Sequence, residues 1–443
     1  MKISHFLLPA VAFASKNGPE QDVTTAFKKK GLELFFTGDE RKNTVISPYS
    51  IIGSLYMVAA GAGGESREEI FESLNLPQYF TSDKILEPFE SYHQISKSLQ
   101  ANSTSKGVRG DPSYELRITN GMFYQEGLRD GINGEEIDPG TFDVLSNDFI
   151  GDMANVKALD FMRDASDATE VINKWAEKST NGKIEELFAD DLDADTKVVL
   201  ASALYVKAQW KNPFVIFTEE KRKSLEFESM FYNYKNSGFE SRSDIEWIYQ
   251  EESILTTSFN HAVDVYELPM SIKKSNGGEP TQMLTVQIWV GDDPDEDISS
   301  TVINKYPTIR KQLKRKKLKF IMPKVKLSFK EDIKWRLEKI GIEQIFQEGT
   351  ADFSPLLGQN SRAFVSKVNH AVEFEIDENG IEGAAVTASV LTSRSMSQPK
   401  LVAINRPFYF VVTNRCWDGK THCPFENIPL FIGRVNDPNE TNE

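Results

Sequence analysis

Helical periodicity is the first pattern along the chain. Apolar residues three or four positions apart give a helix one apolar face, and such a face packs against a core. This spacing occurs in four segments, 27–37, 50–60, 67–74 and 168–178. The pattern therefore predicts that the first part of the chain consists mainly of helices.

Strand patterns dominate the later part of the chain, in segments 197–207, 367–377, 401–413 and 429–435. Segment 367–377 alternates: one face carries Val368, His370, Val372, Phe374 and Ile376, and the other carries Lys367, Glu373, Glu375 and Asp377. Polar insertions near 101–112, 125–155 and 413–426 do not have linker composition. Helices followed by strands predict one α+β domain with large antiparallel sheets.

The stretch from Glu378 to Met396 lies between two predicted strands and is rich in Gly, Ala, Ser and Thr. This composition is typical of an exposed loop, but the residues also alternate. If the stretch becomes a strand, the residues at 381, 383, 385, 387 and 389 share one small or apolar side, and Glu382 points to the other face, toward solvent. A shift by one residue would bury the Glu382 charge, so the pattern specifies one register. We expect a loop that can become a strand.

Further motifs occur in order along the chain: Asn43-Thr-Val-Ile-Ser-Pro-Tyr-Ser-Ile, Gly61-Ala-Gly-Gly-Glu-Ser-Arg-Glu-Glu-Ile, Ile172-Asn-Lys-Trp-Ala-Glu-Lys-Ser-Thr-Asn-Gly-Lys-Ile, Ala203-Leu-Tyr-Val-Lys-Ala-Gln-Trp-Lys-Asn-Pro-Phe, Lys319-Phe-Ile-Met-Pro-Lys, Asn405-Arg-Pro-Phe-Tyr-Phe and Phe431-Ile-Gly-Arg-Val. With the loop and the strand that feeds it, Val365-Ser-Lys-Val-Asn-His-Ala-Val, they resemble the serpin family. The resemblance runs from about residue 22 to residue 438.

The resemblance implies the serpin fold in a single domain at 15–443. This fold has a large central, mostly antiparallel β-sheet, further sheets, about nine helices and a mobile reactive-centre loop, here at about 378–398. The resemblance also implies a suicide mechanism, in which a serine protease cleaves the loop and the loop then inserts into the sheet and traps the acyl-enzyme. A trap of this kind needs no catalytic residues of its own, so we expect no enzyme activity.

The resemblance also places the bond that the protease attacks. In the family, the hinge glutamate lies sixteen positions before the residue that the protease accepts, and 378 + 16 gives Arg394, with Ser395 next. Arginine suits a specificity pocket with an acidic floor, as in trypsin-like enzymes. The expected partner is therefore a trypsin-like serine protease, held in a covalent complex after attack at Arg394-Ser395.

Residues that would control insertion are also implied by the resemblance. The hinge comprises Glu378, Gly380, Ile381, Glu382, Gly383, Ala384 and Ala385. His370 corresponds to the histidine of the family's shutter, with Ser47 and Ser50 beneath it, and Ser202 belongs to the same shutter. At the top of the sheet, the family's breach corresponds to Trp210 and to Lys324, which is expected to pair with Glu378.

Several positions depart from the family's pattern. Ile381 stands where inhibitory members usually have Thr or Ser, Gly383 replaces a usual Ala, and Ser202 stands where the shutter usually has Asn. Slow insertion would allow the acyl-enzyme to hydrolyse. The alternative is a non-inhibitory serpin, with a carrier, chaperone or storage role, that is cleaved as a plain substrate. His370 could equally be an ordinary core residue of an apolar strand face.

Charge narrows the list of partners. The formal charge of −15 makes nucleic acid a poor partner. A basic run is the exception, and it would either bind a sulfated polysaccharide or form a solvated face: Lys311, Lys314, Arg315, Lys316 and Lys317.

We find no GxSxG, HExxH or P-loop motif and no histidine spacing typical of metal ligands, so no cofactor or metal is expected. No segment has transmembrane length, and we expect a monomer without a membrane partner.

The start of the chain resembles a secretory signal. Met1-Lys2 precedes the apolar run 6–14, and Ala12 and Ala14 have signal-peptidase spacing, which predicts a signal peptide at 1–14 and a secreted, extracellular protein. A frayed terminus is the alternative. Secretion would favour glycans at Asn102 and Asn439 and a disulfide between Cys416 and Cys423, which flank a hairpin signal; the alternative is two reduced thiols.

Overall fold

Nine α-helices are found among the residues that the computed structural model describes, which are 18–38, 42–79, 87–101, 114–128, 154–235, 238–272, 282–293, 297–358, 362–382, 399–416 and 425–440. The helices are α1 Pro19–Phe35, α2 Pro48–Gly61, α3 Gly64–Ser73, α4 Glu87–Ala101, α5 Ala165–Ser179, α6 Glu219–Ser224, α7 Ser299–Lys305, α8 Lys334–Lys339 and α9 Ser354–Leu357. Short 3-10 turns occupy Pro77–Tyr79, Tyr306–Lys311 and Gln344–Phe346.

The strands among the described residues form three sheets. They are β1 Thr44–Ile46, β2 Tyr114–Gln125, β3 Ala154–Leu159, β4 Val198–Gln209, β5 Val215–Ile216, β6 Phe231–Lys235, β7 Gly238–Arg242, β8 Trp247–Phe259, β9 Val263–Ile272, β10 Gln282–Gly291, β11 Lys314–Pro323, β12 Val325–Asp332, β13 Val365–Ile376, β14 Gly380–Ile381, β15 Lys400–Ala403, β16 Phe408–Cys416 and β17 Pro429–Val435. A large sheet has the order β1-β17-β16-β10-β9-β8-β11-β15, with β5 also on β8, and β6 pairs with β7.

The central sheet has the order β12-β13-β14-β4-β2-β3. Its two middle strands, β13 and β4, run parallel, and they pair directly from Val365–Val198 to Ala371–Ala203. We call this directly paired stretch the seam. Above the seam, the two-residue strand β14 lies between β13 and β4 and is antiparallel to both. The short strand β14 therefore occupies the centre of the sheet, between β13 and β4 and directly above the seam.

Opposite faces of the central sheet are covered by α2 and α5. Every residue of α2 is buried, and Ser47 caps its N-terminus by accepting a hydrogen bond from the backbone amide of Ser50 at 3.2 Å. On the other face, α5 buries only one side and packs in a separate cluster that includes Val199 and Ala371 of the seam. Neighbouring residues of a strand point to opposite faces of the sheet. The side chains of the seam therefore pack against α2 on one face and against α5 on the other.

The predicted architecture is confirmed: a single α+β domain with a large central sheet, further sheets and nine described helices. In two places, the structure differs from the pattern. Segment 114–125 is the strand β2 rather than part of a helical first half, and 401–413 is interrupted between β15 and β16. Pro407 lies in that interruption and has no amide hydrogen to donate to a sheet. No helix in the described ranges is long and apolar enough to cross a membrane.

Candidate functional site

The chain reverses direction directly after β13. Asp377 Oδ1 accepts hydrogen bonds from the backbone amides of Asn379, at 2.7 Å, and Gly380, at 2.9 Å. The amide of Asp377 in turn donates to the carbonyl oxygen of Gly380 at 3.0 Å. An aspartate side chain that binds the amides just ahead of it is typical of tight turns. This turn directs the hinge segment, which we define as residues 378–382, back along β13 and into the sheet.

Gly380 allows the hinge segment to approach β4 closely. Its backbone has a φ of 152°, which favours glycine. A Cβ atom at this position would lie 2.0 Å from the carbonyl oxygen of Ala208 on β4. Any other side chain here would therefore require the hinge or β4 to move.

Ile381 is already inside the central sheet. It pairs with Ile376 of β13 on one side and with Ala208 of β4 on the other. Its side chain is only 1% exposed and belongs to the main hydrophobic core. The bulky residue that departs from the family's Thr or Ser therefore fits between the two strands.

Glu382 lies on the face opposite to Ile381, but it is not directed to solvent as the sequence pattern suggested. Its side chain is 9% exposed, and its carboxylate lies 3.4 Å from Lys183 Nζ, in the loop after α5. Burial raises the pKa of Glu382, while Lys183 and a hydrogen bond with Tyr205 act in the opposite direction. The expectation of a solvated glutamate is wrong, because a residue distant in the sequence covers it. This ion pair connects the hinge to the α5 side of the sheet.

The breach surrounds the turn of the hinge. Trp210 is buried, and its Nε1 donates to the carbonyl oxygen of Asp377 at 2.8 Å. Its backbone amide donates to Asn379 O at 2.9 Å. Lys324 Nζ lies 3.0 Å from a carboxylate oxygen of Glu378 and 3.0 Å from one of Glu246. Burial alone would raise the pKa of Glu378, but its own backbone amide and Lys324 hold the pKa below its usual value.

The shutter joins the two strands of the seam. His370 on β13 is fully buried, and its Nε2 accepts a hydrogen bond from the backbone amide of Ser47 at 2.9 Å. In a neutral imidazole, the proton must then be on Nδ1, which donates to Ser202 Oγ on β4 at 2.7 Å. A side chain therefore connects β13 to β4 across the seam and also contacts the N-terminus of α2.

Asn120 is part of the same cluster, although the sequence did not suggest it. The register pairs Asn120 on β2 with Ser202, and its side-chain amide lies 3.2 Å from Ser50 Oγ. Ser202 stands where the family's shutter usually has an asparagine. In this chain a buried asparagine, Asn120, lies directly beside that position. The missed signal was a polar Thr119-Asn120-Gly121 within an otherwise apolar strand pattern.

We predict that the shutter makes stability depend on pH. Burial and then the nearby charge of Arg336 lower the pKa of His370 from 6.5 to about 3. Because the unfolded state binds this proton near pH 6.5 and the folded state only near pH 3, the contribution of His370 is complete above pH 6.5 and is lost as the pH falls toward 3. Between pH 7 and pH 5 the loss is ~2 kcal/mol. Urea unfolding at the two pH values measures it.

The control for this prediction is His370→Gln, a side chain that does not titrate. The variant should be less stable than the parent at pH 7, and its free energy of unfolding should change less between pH 7 and pH 5. Equal pH dependence in the two proteins would show that other groups cause the acid sensitivity.

The structure divides the basic run between two faces. Lys311, Lys314, Arg315 and Lys316 are exposed, whereas Lys317 Nζ lies 3.0 Å from a carboxylate oxygen of Glu251. On β11, alternate residues point to opposite sides, so Lys314 and Lys316 face one way and Arg315 and Lys317 the other. The run is therefore not one continuous basic surface.

Several predicted site residues lie outside the described residues: Gly383, Ala384, Ala385, Arg394, Ser395, Asn102 and Cys423. Cys416 ends β16, and the side-chain amide of Asn439 donates to Asp244 at 3.1 Å. The described ranges contain no group of three or more His, Cys, Asp or Glu residues that could hold a metal ion.

The strand β14, which follows the turn after β13, thus pairs with both β13 and β4 in the central sheet, and His370 bridges these two strands below it. The model of the family described as Serpin (serine protease inhibitor) matches residues 25–438. The chain belongs to the serpin family. Members of this family form complexes with target serine proteases.

Relatives and solved structures resemble the chain over nearly its whole length. Iripin-2 of Ixodes ricinus is 27% identical over 428 residues, 94% of each chain, and leukocyte elastase inhibitor of Homo sapiens is 26% identical over 439 residues, 94% of this chain and all of the relative. Native Arabidopsis AtSerpin1 has a TM-score of 0.71 at 22% identity and covers 96% of this chain and 100% of its own. Thyroxine-binding globulin in complex with thyroxine has a TM-score of 0.69 at 21% identity and covers 95% and 99%.

The prediction of a secreted, extracellular protein is corrected by these relatives. Leukocyte elastase inhibitor of mouse, horse and human, and human serpin B9, match 92–94% of the chain, and they are intracellular serpins. The apolar run at 6–14, on which the prediction of secretion rested, is short and is interrupted by Pro9. The disulfide and the glycans were predicted on the assumption that the protein enters an oxidising secretory compartment. Without secretion, that assumption no longer supports either prediction.

Proposed function

We propose that the protein is a suicide inhibitor of trypsin-like serine proteases, cleaved at Arg394-Ser395, that traps the acyl-enzyme by inserting its loop into the central sheet. The observation that carries this proposal is the position of Ile381, which is buried between β13 and β4. Ile381 begins the row of small or apolar residues that share one side of the loop when it is extended. Continued insertion in this register would bury that row and keep Glu382 on the opposite face.

Insertion must open the seam from the hinge downward. Each inserted residue would replace direct pairing of β13 with β4 by pairing of both strands with the loop. The hydrogen bond between His370 and Ser202 crosses the seam, so it must break as the loop passes. The shutter therefore opposes opening before cleavage, and the additional strand provides the hydrogen bonds and buried side chains that drive opening after cleavage.

Arg394 provides the specificity in this proposal. A guanidinium group that enters a pocket with an acidic floor forms a paired, charge-assisted contact, and trypsin-like enzymes have such a pocket. The position is the one that the hinge spacing assigns to the residue accepted by the protease.

We predict that Arg394→Ala lowers the rate constant of inactivation of trypsin by about 100-fold or more, since the loss of a buried charged pair costs several kcal/mol. Residual trypsin activity against time measures the rate, and mass spectrometry of the released peptide locates the cleaved bond. Arg362→Ala, which removes an exposed arginine outside the loop, is the control. If the Arg394→Ala variant inactivates trypsin at the parent rate, the residue that the protease accepts must be a different one.

A non-inhibitory role remains the alternative, and thyroxine-binding globulin shows that a similar fold can bind a small hormone. The main argument for this alternative was Ile381. Its burial in the sheet supports trapping instead, because the hinge accommodates the bulky side chain without leaving the strand register.

A sulfated polysaccharide is a second proposed partner. Its support is the exposure of Lys311, Lys314, Arg315 and Lys316 in an acidic protein. Heparin would be expected to raise the rate of trypsin inactivation at low salt. An unchanged rate of trypsin inactivation over a range of heparin concentrations would contradict a polysaccharide site at these lysines and Arg315.

A further inference from the structure

A cleft beside the far end of the reactive loop has no role in the trap described above. It has a volume of about 350 Å³ and lies between the adjoining ends of β8 and β9, with the turn that joins them, and the strands β11 and β15. The last part of β8 contributes three hydroxyl groups, from Thr256, Thr257 and Ser258. The strands contribute Lys316 and Lys400, with Leu318 beside them.

The strand register places the lysines in one row. Lys400 is the cross-strand neighbour of Leu318, and Lys314 that of Thr256. Because alternate residues of β11 share a face, Lys314, Lys316 and Lys400 lie on the side that carries the cleft. β15 is the edge strand of the large sheet, so no further described strand lies beyond the lysine row.

The charged residues that line the cleft are two aspartates and two lysines, and they differ in whether they have partners. Asp264 accepts a hydrogen bond from the Tyr266 hydroxyl at 2.9 Å, and Asp292 lies 3.9 Å from Arg406. Lys316 and Lys400 are exposed, and within the described ranges neither has a carboxylate at ion-pair distance. The acidic groups of the cleft are thus engaged, and its lysines are available to an external anion.

The cleft also lies within reach of a protease engaged at the reactive bond. Lys400 follows Ser395 by five residues, which limits the distance between their Cα atoms to roughly 17 Å. A protease of about 220 residues has a radius of gyration of roughly 17 Å. Lys400 therefore lies within the reach of a protease bound at Arg394-Ser395.

We propose that this cleft docks an acidic surface segment of the protease that attacks the reactive bond. The proposal rests on the proposed function and deepens it, since it assigns a second determinant of target choice. Lys316, Lys400 and the three hydroxyl groups would donate to one or two carboxylates. The engaged carboxylates of Asp264 and Asp292 border the same cleft and disfavour a long polyanion that would have to cross it, so a short acidic segment fits better than a polysaccharide.

Anionic and cationic trypsin test the proposal, because they share primary specificity but differ in surface charge. The double variant Lys316→Ala with Lys400→Ala should reduce the rate at which anionic trypsin consumes the protein by about 5- to 10-fold at low salt, since charges near an interface mainly change the association rate. The reduction should largely disappear at about 0.5 M salt. With cationic trypsin, the rate should be unchanged or higher.

The matched control is Lys29→Ala with Lys97→Ala, which removes the same charge from exposed positions on α1 and α4. Equal effects of the two double variants, or equal effects on the two trypsins, would overturn the proposal. So would an effect that appears only with added heparin. Consumption includes both trapping and plain cleavage, so the docking effect can be measured even if no covalent complex forms and the trapping function itself fails.

Discussion

Replacing Gly380 by alanine is expected to convert the protein from a trap into a substrate of trypsin. The added Cβ would lie 2.0 Å from the carbonyl oxygen of Ala208, so the hinge could not keep its place beside β4. Insertion competes with hydrolysis of the acyl-enzyme, and each ~1.4 kcal/mol added to the insertion barrier slows insertion about tenfold. We expect the stoichiometry of inhibition, in molecules consumed per trypsin inactivated, to rise about tenfold or more.

The control for this change is Asn379→Ala in the same turn. The side-chain amide of Asn379 donates only to Asp377 among the described hydrogen bonds, so its loss leaves the approach of Gly380 to β4 intact. Its stoichiometry should stay within about twofold of the parent value, since a partly buried local hydrogen bond contributes ~1 kcal/mol. If Gly380→Ala traps trypsin as well as the parent does, insertion does not require this close approach.

Ile381→Glu should have a comparably large effect by a different route. Ile381 is 1% exposed between two strands, and an unpaired carboxylate there would cost several kcal/mol. The hinge should therefore leave the sheet in the intact protein and fail to enter it after cleavage. Trypsin should still cleave after Arg394, but the covalent complex should be lost, as denaturing gels and the stoichiometry of inhibition can show.

Ile381→Val is the matched control, because it keeps the position apolar and removes only one methylene group. It should continue to trap trypsin. Fluorescence of the intact proteins adds an independent readout, since Trp210 donates to Asp377 O directly beside the hinge. A change of the emission spectrum in Ile381→Glu but not in Ile381→Val is expected, and trapping by Ile381→Glu would contradict the assigned insertion register.

Local sequence patterns predicted two strands of the site, β4 and β13, but not β2. The alternation in 367–377 placed Val368, His370 and Ile376 on the buried face of β13, as the structure shows. The same rule placed Ile381 and Glu382 on opposite faces of an extended hinge, and in the structure Ile381 is in the core and Glu382 faces Lys183. Alternation is a property of adjacent residues, so it can be predicted without knowledge of the fold.

Contacts between distant segments could not be predicted in this way. Lys183 reaches Glu382 only because the loop after α5 lies beside the hinge segment. Asn120 completes the shutter because β2 pairs with β4 in one register. The basic run appeared continuous in sequence, but β11 divides it between two faces, and Lys400 joins one of them through strand pairing. These features depend on strand register and packing, which single-sequence patterns do not encode.

The most direct test of the central claim, that the loop inserts and traps its target, is the reaction of the full chain with trypsin followed on a denaturing gel. We predict an SDS-stable band at the summed mass of the two proteins, together with release of the peptide that begins at Ser395. Complete cleavage after Arg394 without such a band would contradict the claim and would make the protein a plain substrate with a non-inhibitory role.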